Sequence, residues 1–161
     1  MNHLAKTGEP PRLSIVGIGN ELNGDDAAGV LILRILKRRL PVDKRIQLLE
    51  GSIAPENYAS TISRFSPDWL WLVDAADFRE NPGSLKLIDL DRIEIGVPST
   101  HSLSPDLLFS IFNLNTQVKI FFFGIQPESV ESFTEPSGVI HKTIRNTANF
   151  LLHWTKFAYN I

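Results

Sequence analysis

The sequence predicts a three-layer α/β/α sandwich around a central, mostly parallel twisted sheet of about five strands. Three observations carry that expectation. Apolar runs of strand length alternate with segments of helical periodicity. The runs are apolar at nearly every position, as in strands covered on both faces. A tight glycine turn follows the first run and opens a helix.

The elements follow in order. Residues 13–16 (Leu-Ser-Ile-Val) form the first strand, and the turn Gly17-Ile18-Gly19-Asn20-Glu21-Leu22-Asn23-Gly24-Asp25-Asp26 leads out of it. In the first helix Ala27, Ala28, Leu31, Ile32, Ile35 and Leu36 share a stripe, with Arg34, Lys37 and Arg38 turned away. Acids begin this helix and bases end it, in keeping with its macrodipole. Residues 46–49 are the second strand. Pro55 opens a second helix that uses Tyr58, Ile62 and Phe65, and residues 69–73 are the third strand. Residues 85–88 follow Asn81-Pro82-Gly83 with no room for a crossover helix, so they are expected antiparallel beside the third strand. Ser104 and Pro105 cap and start a third helix with Leu107, Leu108, Ile111 and Phe112 on its buried side. Residues 118–123 form the fifth strand, and a last helix runs from about Ser137 to Phe157.

Bulk properties narrow the class. With 161 residues, 43% of them apolar, the chain suits one domain spanning 1–161, with 1–12 as a loose N-terminal tail. A net charge of -2 gives no basic excess for nucleic acid. The tail has no apolar core of a signal peptide, and Arg34 and Asp74 break the longest apolar runs short of a bilayer span. A soluble, cytoplasmic monomer away from membranes is expected. Having no cysteine, the chain has no disulfide, no thiolate zinc site and no cysteine nucleophile.

The topology says where a site belongs. In an open α/β sheet ligands sit outside the carboxyl ends of the strands. Asp25 and Asp26 follow the first strand, Glu50-Gly51-Ser52 the second, Asp74-Ala75-Ala76-Asp77 the third, and Gly124-Ile125-Gln126-Pro127 the fifth. Acids gathered on one rim repel one another unless a cation or protons offset them. The glycine turn by itself suggests a phosphate cradle, but its paired acids repel phosphate and Leu22 stands where the third glycine of G-x-G-x-x-G belongs. A cation suits the Asp and Asn oxygens better. Helix capping is the plainer role for Asp25 or Asp26, and turn formation or capping for Glu50 and Asp77. His101, in Ser99-Thr100-His101-Ser102, is the one histidine in a loop able to fold back to this rim.

Five segments in order now carry a resemblance that covers nearly all of the chain after the tail. They are Gly17-x-Gly19-Asn20-x-Leu22-x-x-Asp25-Asp26, Gly51-Ser52-x-Ala54-Pro55-Glu56-Asn57, Val73-Asp74-Ala75-x-Asp77 with Asn81-Pro82-Gly83, Thr100-His101, and Gly124-Ile125-Gln126-Pro127. The chain resembles the nickel-iron hydrogenase maturation endopeptidases, especially the type serving hydrogenase 3 of formate-linked systems. The resemblance implies that Asp26, Asp74 and His101 are both the metal-binding and the catalytic residues. It implies an enzyme that recognises nickel already inserted in the hydrogenase large-subunit precursor and removes a C-terminal extension. Nickel would then come with the substrate, with other divalent metals able to substitute. Two positions depart from the family: Glu50-Gly51-Ser52 replaces the usual Asp-Gly-Gly, and Ala27 replaces a frequent glycine.

The residues fit that chemistry and leave part of it open. Two carboxylates and an imidazole leave coordination positions for substrate or water. The chain has no His-Glu-x-x-His and no Gly-x-Ser-x-Gly, so neither familiar protease machinery is present. A carboxylate such as Asp26 or Glu50 could serve as base, or the metal could be only a docking point. A nickel-dependent chaperone or sensor without cleavage is the alternative reading.

Overall fold

In a computed structural model, which describes residues 9–89 and 117–161, a five-stranded sheet has the order β2-β1-β3-β5-β4. The strands are β1 (Leu13–Ile18), β2 (Ile46–Ser52), β3 (Trp69–Ala75), β4 (Leu85–Asp89) and β5 (Lys119–Ile125). The helices are α1 (Ala28–Arg39), α2 (Ala59–Phe65) and α3 (Gly138–Tyr159). Two 3-10 turns, Gly24–Ala27 and Pro55–Tyr58, lead into α1 and α2. β1 pairs in parallel with β2 and β3, and β3 with β5, so four carboxyl ends share one rim.

Alternation along the strands sorts the core into two layers. Leu13, Ile15, Trp71 and Val73 face α1 and α3, where Ile32, Leu33, Leu36, Ile144 and Leu151 complete one cluster. Val16, Leu70, Leu72, Ile120 and Phe122 form the other, closed by Ile62 of α2. Trp154 of α3 stacks obliquely on Trp71, ring centroids 4.8 Å apart, and Trp71 meets Phe123 at 5.2 Å. Such aromatic pairs stabilise by about 0.5–1.5 kcal/mol each beyond their buried area.

α1 lies unusually close to the sheet because glycines meet there. A Cβ on Gly29 would stand 2.1 Å from the Val73 carbonyl oxygen and 2.3 Å from that of Ile18, and one on Gly17 would stand 2.4 Å from the Gly29 carbonyl. The buried stripe therefore centres on Gly29, Ile32, Leu33 and Leu36, while Leu31 and Ile35 pack at its edge. This rotates the helix slightly from the stripe read in the sequence, which had no way to weigh the absence of a side chain at Gly29.

Two expectations are corrected. β4 is antiparallel as expected, but its partner is β5, through Leu87↔Phe123, and not β3. β3 already pairs on both sides, and the more apolar β5 takes the covered inner place while the half-exposed β4 takes the edge. The loose tail also ends earlier than residue 12. Pro11 is buried and its carbonyl accepts from the Tyr159 hydroxyl, while the Arg12 N–H donates to Asp68 at 2.7 Å. The helix expected from Ser104 lies outside the described residues.

Candidate active site

The turn after β1 is built from backbone constraints. Gly19 has φ +137°, and a Cβ there would fall 1.8 Å from the Asp26 carbonyl oxygen, so only glycine lets the chain double back past Asp26. The Asn23 N–H donates to the Asn20 carbonyl and the Asp26 N–H to that of Asn23, which winds the turn before the helix begins.

Asp25 and Asp26 are both buried and do different things, neither being the helix cap that the plainer reading expects. The Asp25 carboxylate accepts four hydrogen bonds: from the N–H groups of Glu128 (2.7 Å), Ser129 (2.9 Å) and Ser137 (2.6 Å), and from the Ser137 hydroxyl (3.1 Å). Its lone pairs are committed to the loop between β5 and α3. Asp26 Oδ2 accepts the Asn20 N–H at 2.8 Å, whereas Asp26 Oδ1 is buried and has no hydrogen-bond partner among the described residues. Leaving a buried carboxylate oxygen unsatisfied costs about 1–3 kcal/mol or more, so this atom is the one open to a cation.

Asp74 is wholly buried at the end of β3, one residue past the last rung shared with β1, Gly17↔Val73. Its Oδ1 accepts the Ala75 N–H at 2.8 Å, and by strand alternation it projects to the same face as Leu70 and Leu72. Its partner on β5 is Gly124, against which the Phe78 ring packs: a Cβ on Gly124 would meet that ring at 2.4 Å. Asp26 and Asp74 thus stand on one rim, at the ends of adjacent strands. Among the described residues no group of three His, Cys, Asp or Glu side chains could hold a metal ion, and His101 lies outside them.

The other two acids are engaged elsewhere. Glu50 accepts from Arg34 Nε at 3.0 Å and Lys37 Nζ at 3.1 Å, both on α1. Burial works to raise its pKa, but the hydrogen bonds from Lys37 and Arg34 outweigh burial and hold it below the ordinary value. Arg34 also grips Glu21 through a two-pronged contact, joining the glycine turn to the end of β2. Asp77 is exposed and forms a turn: its Oδ1 accepts the Arg79 N–H at 2.9 Å and the Gln126 amide at 3.2 Å, and these, Arg79 first, lower its pKa.

Sequence reasoning missed the loop 127–137 as part of this rim. The Gly24 N–H donates to the Thr134 carbonyl at 3.1 Å and the Asp25 N–H to that of Ser129 at 2.9 Å, with a parallel bridge Asn23↔Thr134. No local pattern signals such pairing across about a hundred residues. Gln126, noted only as part of a motif, is buried and accepts the Phe78 N–H at 2.7 Å, latching the loop after β3. An apolar cleft of about 270 Å³, lined by Trp69, Trp71, Phe121, Phe123, Phe150 and Trp154 among others, opens on the opposite face and contains none of the candidate residues.

Comparison with known proteins gives this arrangement its family. The model of the hydrogenase maturation protease family, HycI, matches residues 30–154. The chain is 31% identical over 139 residues to the hydrogenase 3 maturation protease of Escherichia coli K12, covering 85% of this chain and 86% of that protein. Its fold is similar to the crystal structure of the nickel-iron hydrogenase maturation protease HycI from Thermococcus kodakarensis KOD1, with a TM-score of 0.77, 33% identity, and 91% and 93% of the two chains covered. The solution structure of the endopeptidase HycI from E. coli is similar at a TM-score of 0.70 and 27% identity, covering 89% and 90%. The chain belongs to the hydrogenase maturation protease family. Among its described residues no helix is long and apolar enough to cross a membrane.

Proposed function

We propose that this protein is an endopeptidase that recognises nickel already inserted in the large-subunit precursor of a nickel-iron hydrogenase and cuts off the precursor's C-terminal extension. Asp26, Asp74 and His101 are the residues we assign to the metal and to catalysis. The observation that carries this reading is the buried Asp26 Oδ1, without a hydrogen-bond partner among the described residues, on the rim that also holds the buried Asp74. A cation-binding role explains why no donor among the described residues meets that oxygen.

The donor set fits the guest. Imidazole suits nickel, carboxylates are hard ligands of modest affinity, and three ligands leave room for those the substrate brings. When bound, the metal would polarise the scissile carbonyl or acidify a water. The chain's own part is to hold Asp26 Oδ2 on the Asn20 N–H, so that Oδ1 keeps its direction, and to receive a proton at that carboxylate. Glu50 is the poorer base, because Arg34 and Lys37 stabilise its ionised form. The protein is proposed to act as a monomer in the cytoplasm, where a chain without cysteine is at home in reducing conditions.

The test is to incubate the purified protein with nickel-loaded and nickel-free precursor and weigh the products. Loss of one C-terminal peptide of fixed mass from the loaded form alone supports the reading. A chaperone or sensor would bind the loaded precursor and release it at unchanged mass. Efficient trimming of nickel-free precursor, or general digestion of unfolded proteins, would refute recognition through nickel. Asp26→Ala, Asp74→Ala and His101→Ala are each expected to stop processing.

A further inference from the structure

The loop 127–137 does more than close the rim. It is held rigidly: its backbone bonds to the glycine turn at Gly24, Asp25 and, through the Phe133 N–H, the Leu22 carbonyl, and the Asp25 carboxylate grips it at Glu128, Ser129 and Ser137. On that fixed platform Phe133 stands 86% exposed with φ +62°, a left-handed conformation that a bulky aromatic residue rarely adopts. Exposure and backbone strain both work against folding stability, and among the described residues Phe133 joins neither core cluster in return. Leu22, 59% exposed, and Val130, 46% exposed, belong to the same two paired segments. Between residues 127 and 137 the loop carries Glu128, Glu131 and Glu135, all exposed, and no Lys or Arg.

We infer that Phe133, Leu22 and Val130, flanked by these acids, are the docking surface for the client precursor. The inference rests on the proposed function. A folded client that brings its metal to Asp26 must touch the turn 20–26, and the loop carrying Phe133 is hydrogen-bonded to that turn. Charge complementarity defines the partner's chemistry: an apolar depression beside its metal, rimmed by Lys or Arg. Phe133 is the anchor, and the acids steer the encounter.

The experiment measures cleavage and binding of nickel-loaded precursor by the wild type, Phe133→Gly and Glu131→Lys, with thermal melting of each. Glycine accepts φ +62°, so Phe133→Gly is expected to melt at or above the wild-type temperature while KM and Kd rise roughly tenfold with kcat little changed, as for an interface anchor. Glu131→Lys is expected to raise KM several-fold, and the wild-type KM is expected to rise between about 50 and about 300 mM salt. Unchanged KM and Kd in Phe133→Gly would overturn the inference, and so would a weakened enzyme whose melting point has fallen. A change in self-association in place of client affinity would assign the surface to a second copy and also overturn it. Should the wild type bind loaded precursor without cutting it, the cleavage reading fails while the Kd comparison still decides the docking surface.

Discussion

The Asp25 carboxylate accepts the Ser137 N–H at 2.6 Å, joining the turn after the first strand to the residue that caps the last helix, 112 positions away. Because Ser137 also gives its hydroxyl to Asp25, it makes no side-chain cap of its own helix. A long-range anchor has taken the place of a local one. The adjacent Asp26 carboxylate accepts one hydrogen bond, and its other oxygen is buried without a partner among the described residues.

The two neighbours should therefore part company under mutation. Asp25→Ala strips acceptors from three backbone N–H groups and is expected to cost about 2–4 kcal/mol in denaturant unfolding. Asp26→Ala removes an oxygen that is a liability in the metal-free fold, so its stability should stay within about 1 kcal/mol of the wild type while processing stops. Equal destabilisation by both substitutions would contradict the division of roles.

Ser52 occupies a left-handed conformation, φ +50°, at the position where the family resemblance noted a usual glycine. Relief of that strain, partly offset by the greater freedom of glycine in the unfolded chain, gives an expected gain of roughly 0.5–1 kcal/mol for Ser52→Gly. Chemical denaturation reads this directly, and a loss of stability would show that the Ser52 side chain makes a contribution exceeding its strain.

Gly29→Ala tests the seating of the first helix. Its methyl would collide with the carbonyl oxygens of Val73 and Ile18, which are backbone atoms of two sheet strands and cannot swing away. The helix must lift, carrying the Asp25-Asp26 turn with it, and a cost of about 3 kcal/mol or more is expected. Processing should weaken in parallel, as measured on the fraction that remains folded.

Acid stability should show the Asp43–Arg45 pair. Hydrogen bonding to Arg45 pulls the Asp43 pKa from its ordinary 3.8 to about 2. A folded-state value below the unfolded one stabilises the fold above about pH 4, and that contribution is lost as pH falls from about 4 through about 2. Asp43→Asn should therefore be less stable than the wild type at neutral pH, with the gap closing across that acid window. A gap that stays constant down to pH 2 would show that the pair is not the cause.

Chelation should leave the fold standing. Among the described residues, apolar side chains on both faces of the sheet build the two core clusters, so the fold does not hang on a metal as a zinc-dependent small domain does. Melting curves with and without a strong chelator are expected to agree within about 2 °C.

The amino-acid order by itself determined the alternation of strands and helices, because near-continuous apolar runs and helical stripes are local periodicities. It determined equally the rim where the acids lie, since parallel strands put their carboxyl ends together. What periodicity cannot express is which strand stands beside which. β5 outcompeted β4 for the place next to β3 because the more apolar strand gains more from the covered position, a comparison made only once the layers assemble. Asp25 and Asp26 look alike in a sequence, and tertiary structure told them apart: one is saturated by a loop a hundred residues away, the other is left with an oxygen that nothing in the described fold satisfies. The exposed, strained Phe133 was likewise invisible, because both its backbone angle and its place beside the Asp25-Asp26 turn are set by contacts distant in the chain.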